Sequence, residues 1–341
     1  VIHKATGSLN DLSRSIGPLV KYYRATSYGP ALELAIAISE QPVAEFFPED
    51  GAYLDAHGDH CHSTTCVMSS LAQLAELTSD SNLLNRVKAF YDNGLGEIRD
   101  ALGWSIETVH QGENHGRGEA NNTADILETA LILGRRGYPE YYHDAERILR
   151  GHLLPSQLRD VSFIADPPNP ENDDGKRDVA NRIKGAFGFP APYGHQPIDL
   201  SLVKFNADIV GGTVGALCEA YRSATRFDSA GQWVNLLFDH ETSDIKIESP
   251  YTQSGLKVTL KRPGPLFVRL PPWVDLASLK YEGVTGTPRA TNGYVLFARP
   301  PIHRAISITF PLAQQEITLK NPAGSLRVRL EGDHVTAMDN L

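Results

Sequence analysis

The stretch NNTADILETALILGRRGYPEYYHDAERILRGHLL, residues 121–154, decides the fold of the first two thirds of the chain. Ile126, Ala130 and Leu133 recur at helical spacing and give one helix an apolar face. Asn122 or Thr123 reads as its cap, since a short polar side chain can accept from the free amides of a first turn. Gly137 stops this helix and Pro139 opens the next, so the segment predicts an antiparallel pair. Upstream, Leu71, Leu74, Ala75 and Leu77 precede SDSNLLNRVKAFYDNGL, residues 79–95, whose Ser and Asp cap signals predict a second pair. Weaker helical patterns run from Leu9 to Tyr23, from Pro30 to Ser39, and through NADIVGGTVGALCEAYRSATRF at 206–227. The count by periodicity is about seven.

From about Gly231 the period changes to two. WVNLLF, DIKIES, LKVTLK, LFVRL, YVLFA, AISITF and SLRVRL follow one another, separated by Gly, Pro and Asp turns. A helical body followed by strands predicts two domains, a helical one at 1–228 and a β-sandwich or small barrel at 229–341. Between the helical segments, DPPNPENDDGKRDVANRIKGAFGFPAPYGHQPID at 166–199 is a long polar loop; loops of this length inside a compact domain are usually either functional or disordered, and its aromatic and ionisable residues favour function.

Composition narrows the partners. The formal net charge of −9 argues against nucleic acid, which is held by clustered Lys and Arg, and no apolar run is long enough for a bilayer. A soluble protein of the cytoplasm or periplasm is expected, its compartment undecided and a homodimer allowed. The chain opens on Val1 rather than Met, and processing or trimming of its start is expected. Three cysteines, Cys61, Cys66 and Cys218, cannot all pair and lack the spacing of a structural zinc site.

Several segments together carry a resemblance. EANNTADILETALILGRRGYPEYYHDAERILRGHLLPSQL, KRDVANRIKGAFGF, GGTVGALCEAY, GQWVNLLFDHETSDIKIESPY, LFVRLPPWV and the closing LRVRLEGDHVTAMD resemble, in this order, the β-L-arabinofuranosidase-like glycoside hydrolases of family 127 and their uronic-acid-active relatives. The resemblance implies an (α/α)6-toroid-like helical domain with the pocket in its ring and a β-sandwich behind it. About seven helices are fewer than a closed ring of six pairs needs, so the ring is either incomplete or partly hidden in irregular segments. It also implies a zinc-thiolate centre, with a Glu-x-Cys motif and a later Cys-Cys pair. Glu119 stands in the Glu position, but Asn121 follows two residues on, and the later pair reads Val210-Gly211. Neither supplies a nucleophilic sulfur or soft ligand, so the thiolate mechanism does not carry over.

Two clusters and one loop remain as candidate chemistry. DAHGDHCHSTTC, residues 55–66, sets His60 and His62 just before a helix expected to start near Ser63, where free amides favour anions and hydroxyls. Each histidine can equally be a hydrogen-bonded structural residue, and Cys61 and Cys66 read as small buried side chains. His-x-His is a metal-binding spacing, but no ligand set is assigned and no cofactor is expected; a divalent ion such as zinc is the open alternative. ETVHQGENHGRGEANNTAD, residues 107–125, crowds Glu107, His110, Glu113, His115, Glu119 and Asp125 around glycines. Glycosidic cleavage uses a proton donor and a second group that activates water or attacks, commonly two carboxyls, and Glu107 with Glu119 is the leading pair. Glu113 reads as a solvated loop carboxylate and Asp125 as a weaker candidate. In the long loop Arg182 could clamp a sugar carboxylate, with Tyr193 and His195 as a wall; His115 and Asn121 complete the substrate-binding set.

The expectation is an exo-acting glycoside hydrolase removing a terminal uronic acid or L-arabinose-like residue from an oligosaccharide, with Glu119, Glu107, His60 and His62 catalytic. Elimination at a uronic acid, by a lyase or dehydratase, is the second reading, and a non-catalytic sugar-binding protein of the same fold is the third.

Overall fold

The computed structural model describes residues 12–109, 118–189, 204–205, 207–321 and 324–339. The helical part holds α1 (Ile16–Thr26), α2 (Gly29–Glu45), α3 (Cys61–Thr78), α4 (Ser81–Asn93), α5 (Ala120–Arg135), α6 (Glu140–Ile148), the short α7 (Val179–Ile183) and α8 (Ala207–Ser223). Both expected pairs form, as α3 with α4 and α5 with α6. Asp80 caps α4, its Oδ1 accepting from the amides of Asn82 at 2.9 Å and Leu83 at 3.0 Å. That cap satisfies two donors that the first turn leaves unpaired.

Helix α5 is the hub. It packs against α3, α6 and α8, and Ile126, Leu127, Ala130, Leu131, Ile132 and Leu133 are all fully buried. Burial on every side explains why its polar residues are also enclosed. Asn122 and Thr123 are 0% exposed and do not cap the helix: Asn122 Nδ2 donates to the Ile106 carbonyl at 2.8 Å and Thr123 Oγ1 to the Gly103 carbonyl at 2.7 Å. The N-cap position belongs to Glu119, one residue before Ala120. The expected cap residues are thus turned inward, because the preceding loop packs over them and supplies the acceptors.

The short strands β1 (Gly188–Phe189) and β2 (Lys204–Phe205) pair antiparallel, and the strand-built part contains two five-stranded sheets, ordered β10-β11-β8-β4-β3 and β5-β6-β7-β12-β9. The first uses β3 (Thr225–Asp228), β4 (Gly231–Val234), β8 (Leu266–Arg269), β10 (Arg289–Thr291) and β11 (Tyr294–Phe297). The second uses β5 (His240–Glu241), β6 (Ile245–Glu248), β7 (Leu256–Leu260), β9 (Lys280–Glu282) and β12 (Ala305–Thr309). Alternate residues of β7 are buried, and Val234, Val268 and Val295 of one sheet share an apolar cluster with Ile247, Val258 and Ile306 of the other. All neighbours are antiparallel except β4 and β8, which run parallel.

The passage from helices to strands runs through a hairpin next to residue 228. Asp228 pairs with Gly231 across the β3–β4 hairpin, so strand structure already begins at Thr225. The last three strands, β13 (Gln314–Asn321), β14 (Gly324–Glu331) and β15 (His334–Met338), form their own sheet. Leu319, Leu326, Val328 and Leu330 belong to the helical apolar cluster rather than to the one between the five-stranded sheets. The two parts are also tied by buried charge: Glu146 of α6 accepts from Arg150 and from Arg269 of β8. Among the described residues no helix is long and apolar enough to cross a membrane.

Candidate active site

Three short backbone crossings build the site. The Ile106 amide donates to the Ile98 carbonyl at 2.9 Å, the Glu119 amide to the Ser105 carbonyl at 3.1 Å, and the Cys61 amide to the Glu107 carbonyl at 3.0 Å. His60 bridges Thr108 and Ile106 bridges Gly118, both antiparallel. The starts of α3 and α5 are thereby stitched side by side. Gly118 permits this, since a Cβ there would lie 2.3 Å from Trp104 Nε1.

The side chains that this stitching delivers meet in a cavity of about 450 Å³ walled by Arg14, Lys21, His60, His62, Cys66, Ser69, Gln73, Glu107, Glu119, Asn121, Asp125 and Glu128, with Gly212 from α8. His60 is the N-cap residue of α3 and His62 lies in its first turn, so the helix starts two residues earlier than the sequence suggested. His60 Nε2 is 3.8 Å from Glu119 Oε2, His62 Nδ1 is 3.6 Å from Glu119 Oε1, and His62 Nε2 is 3.4 Å from Asp125 Oδ2. The His62 ring therefore lies between two carboxyl groups. Arg14 Nη2 donates to His62 Nδ1 at 3.0 Å, which leaves the ring proton on Nε2, facing Asp125.

Burial sets the charges here. It holds His62 neutral, its pKa brought down to about 3 first by desolvation and then by Arg14 and His60. His60 moves the same way for the same leading reason. Asp125 is pushed well above the ordinary carboxylate range by burial and then by Glu128, although Thr65 Oγ1 donates to it at 3.0 Å. Glu128 is bound into the wall by Ser69 at 2.7 Å, Gln73 at 3.1 Å and Lys21 at 3.4 Å.

Of the sequence-based candidates, Glu119, Glu107, His60, His62, Asn121 and Asp125 come together in this cavity. Asn121 is buried, and its Nδ2 donates to Glu119 Oε1 at 3.3 Å. Arg182 does not join them: it is exposed in α7, donating to the Asp174 carbonyl at 2.5 Å, held there by its own loop. His115, Tyr193 and His195 lie outside the described residues, as do His110 and Glu113. His57 is a structural residue, 2% exposed, stacked on Tyr53 at 4.6 Å and bonded through Nδ1 to the Leu54 backbone at 2.9 Å. The cation that reaches the cavity is Arg14, from the 3-10 turn Ser13–Ser15, together with Lys21 of α1. Only tertiary packing brings α1 here, so no spacing in the sequence marks either residue. A second cavity, about 500 Å³ between Val284 and Pro300, has no carboxyl or imidazole in its wall.

The thiolate centre does not fit these residues. Cys61 is buried and Cys66 half-buried, and desolvation pushes both thiols up to about 12, so neither is an anion at neutral pH. The donors that converge on Glu119 are the nitrogens of His60 and His62, while Cys66 Sγ lies on the other side of His62, within 4.8 Å of it and of Asp125.

No family model matches the chain, and no curated protein matches it in sequence. Its fold is nevertheless shared with solved structures. A GH127 β-L-arabinofuranosidase from Geobacillus stearothermophilus T6 superposes with a TM-score of 0.61 at 16% identity, covering 98% of this chain and 60% of that one. A second GH127 β-arabinofuranosidase gives 0.62 at 17% identity, with 94% and 55% covered. A third structure, described as a glycoside hydrolase, gives 0.63 at 15% identity, with 97% and 62% covered. The chain thus spans between 55% and 62% of the length of these structures.

Proposed function

We propose that this cavity is the active site of a glycoside hydrolase that removes a terminal residue from an oligosaccharide. The observation that carries the reading is the His62 ring set between Glu119 at 3.6 Å and Asp125 at 3.4 Å, in a fold shared with GH127 enzymes. Two carboxyl groups on one cavity wall meet the minimum requirement of glycosidic cleavage.

The roles follow from position. Asp125, whose pKa burial raises well above the ordinary carboxylate range, serves as the acid that gives a proton to the leaving glycosidic oxygen as the bond to the anomeric carbon breaks. Glu119 takes a proton from the water that attacks that carbon, with the His60 and His62 rings beside its carboxylate. Glu107 stands on the same wall as the alternative carboxylate. Asn121 steadies Glu119, and Arg14, which donates to a neutral imidazole, is the group that can turn to a carboxylate on the sugar. A terminal uronic acid suits this wall, and an L-arabinose-like residue suits the shared fold.

Glu119→Gln keeps the shape and removes the charge. Turnover on uronic-acid-ended and arabinose-ended oligosaccharides, read by product mass, is expected to fall by about 10²–10⁴, the usual contribution of one acid or base. Unchanged turnover would remove Glu119 from the mechanism. Products lacking water would replace hydrolysis by elimination.

A further inference from the structure

We infer that His60, His62 and Glu119 form a binding site for one divalent transition-metal ion, built from nitrogen and oxygen and independent of every thiol. One ligand atom from each of the three lies within 4.8 Å of the others. The two nitrogen-to-carboxylate separations, 3.8 Å from His60 and 3.6 Å from His62, come close to the roughly 3.4 Å between neighbouring ligands about 2.1 Å from a tetrahedral ion.

The far side of each imidazole is already prepared. His60 Nδ1 is 2.9 Å from Ser63 Oγ, which leaves Nε2 for the ion. His62 Nε2 faces Asp125 Oδ2 at 3.4 Å, which leaves Nδ1 for the ion and reproduces the carboxylate–histidine–metal chain that orients ligands in metalloenzymes. Asn121 flanks the third ligand: its Nδ2 holds Glu119, and its Oδ1 is buried with no hydrogen-bond partner among the described residues. The guanidinium of Arg14 bonds the His62 nitrogen that would ligate, so one cation already stands where the other would bind. Ion binding displaces Arg14 toward the cavity mouth.

Two imidazoles and a carboxylate select a borderline ion such as zinc over magnesium or calcium, which prefer oxygen alone. The site goes beyond the hydrolytic reading and is measured without substrate, so either can fail alone. With the ion bound, Glu119 becomes a ligand and Glu107 is another glutamate carboxylate on that wall.

The test is calorimetric titration of the chelator-treated full chain with Zn²⁺ and with Co²⁺, the latter also read by its visible spectrum. One equivalent of each should bind, with Mg²⁺ binding far more weakly. His62→Ala and Glu119→Gln should abolish saturable binding, and the exposed-side variant His60→Gln should weaken it at least tenfold, each with wild-type circular dichroism. Asp125→Asn should weaken binding by about 10–100-fold, the usual effect of losing an outer partner. Cys66→Ser should bind as wild type. No stoichiometric binding to the wild-type chain, binding that survives Glu119→Gln, or binding lost in Cys66→Ser would each overturn the site.

Discussion

Removing the Glu146 carboxylate should loosen the whole molecule, because Glu146 is the anion on which the helical and strand-built parts meet. It is 0% exposed, accepts from Arg150 Nε at 3.0 Å and from the Leu237 amide at 3.1 Å, and also receives Arg269 Nη2. Arg150 is 9% exposed and Arg269 1%, so Glu146→Ala leaves two enclosed guanidinium groups without their counterion. Breaking a buried pair in this way costs about 3–5 kcal/mol, far more than a surface pair. The entropy of unfolding is about 2.1 cal/mol/K per residue, or about 0.7 kcal/mol/K for 341 residues, so the melting temperature should fall by about 4–7 °C. Glu146→Gln keeps an acceptor for the Leu237 amide and should fall by less. The assay is scanning calorimetry of wild type and both variants at neutral pH. A Glu146→Ala melting temperature within 1 °C of wild type would refute the reasoning, since it would mean that neither guanidinium depends on this carboxylate.

Other expectations follow from single sites. Arg14→Met should lower kcat/KM on uronic-acid-ended substrates by roughly 10–100-fold, the worth of one charged hydrogen bond, and leave arabinose-ended ones nearly unchanged; equal losses on both would remove Arg14 as the carboxylate contact. Gly212→Ala would put a Cβ 2.4 Å from Asn121 Oδ1, turning the amide away from Glu119, so activity should drop roughly 10–100-fold with a far smaller change in melting temperature. Activity held at wild-type level would show that Asn121 does not position Glu119. Burial keeps the folded-state pKa of His57 below its ordinary value of 6.5, so the unfolded chain takes up the proton first as pH falls. The stability that neutral His57 contributes is therefore present above about pH 6.5 and lost below it. Urea midpoints of His57→Phe between pH 7.5 and 5 should slope less than those of wild type, and identical slopes would rule the residue out.

The helices and strands were legible because periodicity reports burial directly. The α5–α6 pair and the period-two run after Gly231 both appear where the spacing puts them. Asn122 and Thr123 show the limit: their composition says cap, but a loop packed over α5 makes them buried donors instead. The site was half legible for the same reason. His60, His62, Glu107, Glu119 and Asp125 sit in two short polar clusters at helix starts, and the backbone crossings unite those clusters. Arg14 carries no such mark, because its place depends on how α1 lies against α3, and no local pattern encodes that. Arg182 looked equivalent on chemistry alone, yet its partners are neighbours in its own loop.

Fold likeness therefore does not by itself transfer chemistry here, and the donor atoms explain why. A thiolate centre works because metal or cationic surroundings hold sulfur as an anion. In this cavity desolvation does the reverse to Cys66, while the same desolvation keeps His60 and His62 neutral with lone pairs available. Burial thus disfavours sulfur and favours imidazole at one and the same wall. Glu119 lies on that wall, fixed by the hydrogen bond from its amide to the Ser105 carbonyl and by Asn121, so its carboxylate can serve either as a base or as a ligand without any movement of the backbone. Which of the two it does depends on what bonds the His62 Nδ1 atom 3.6 Å away from it: the Arg14 guanidinium or an ion.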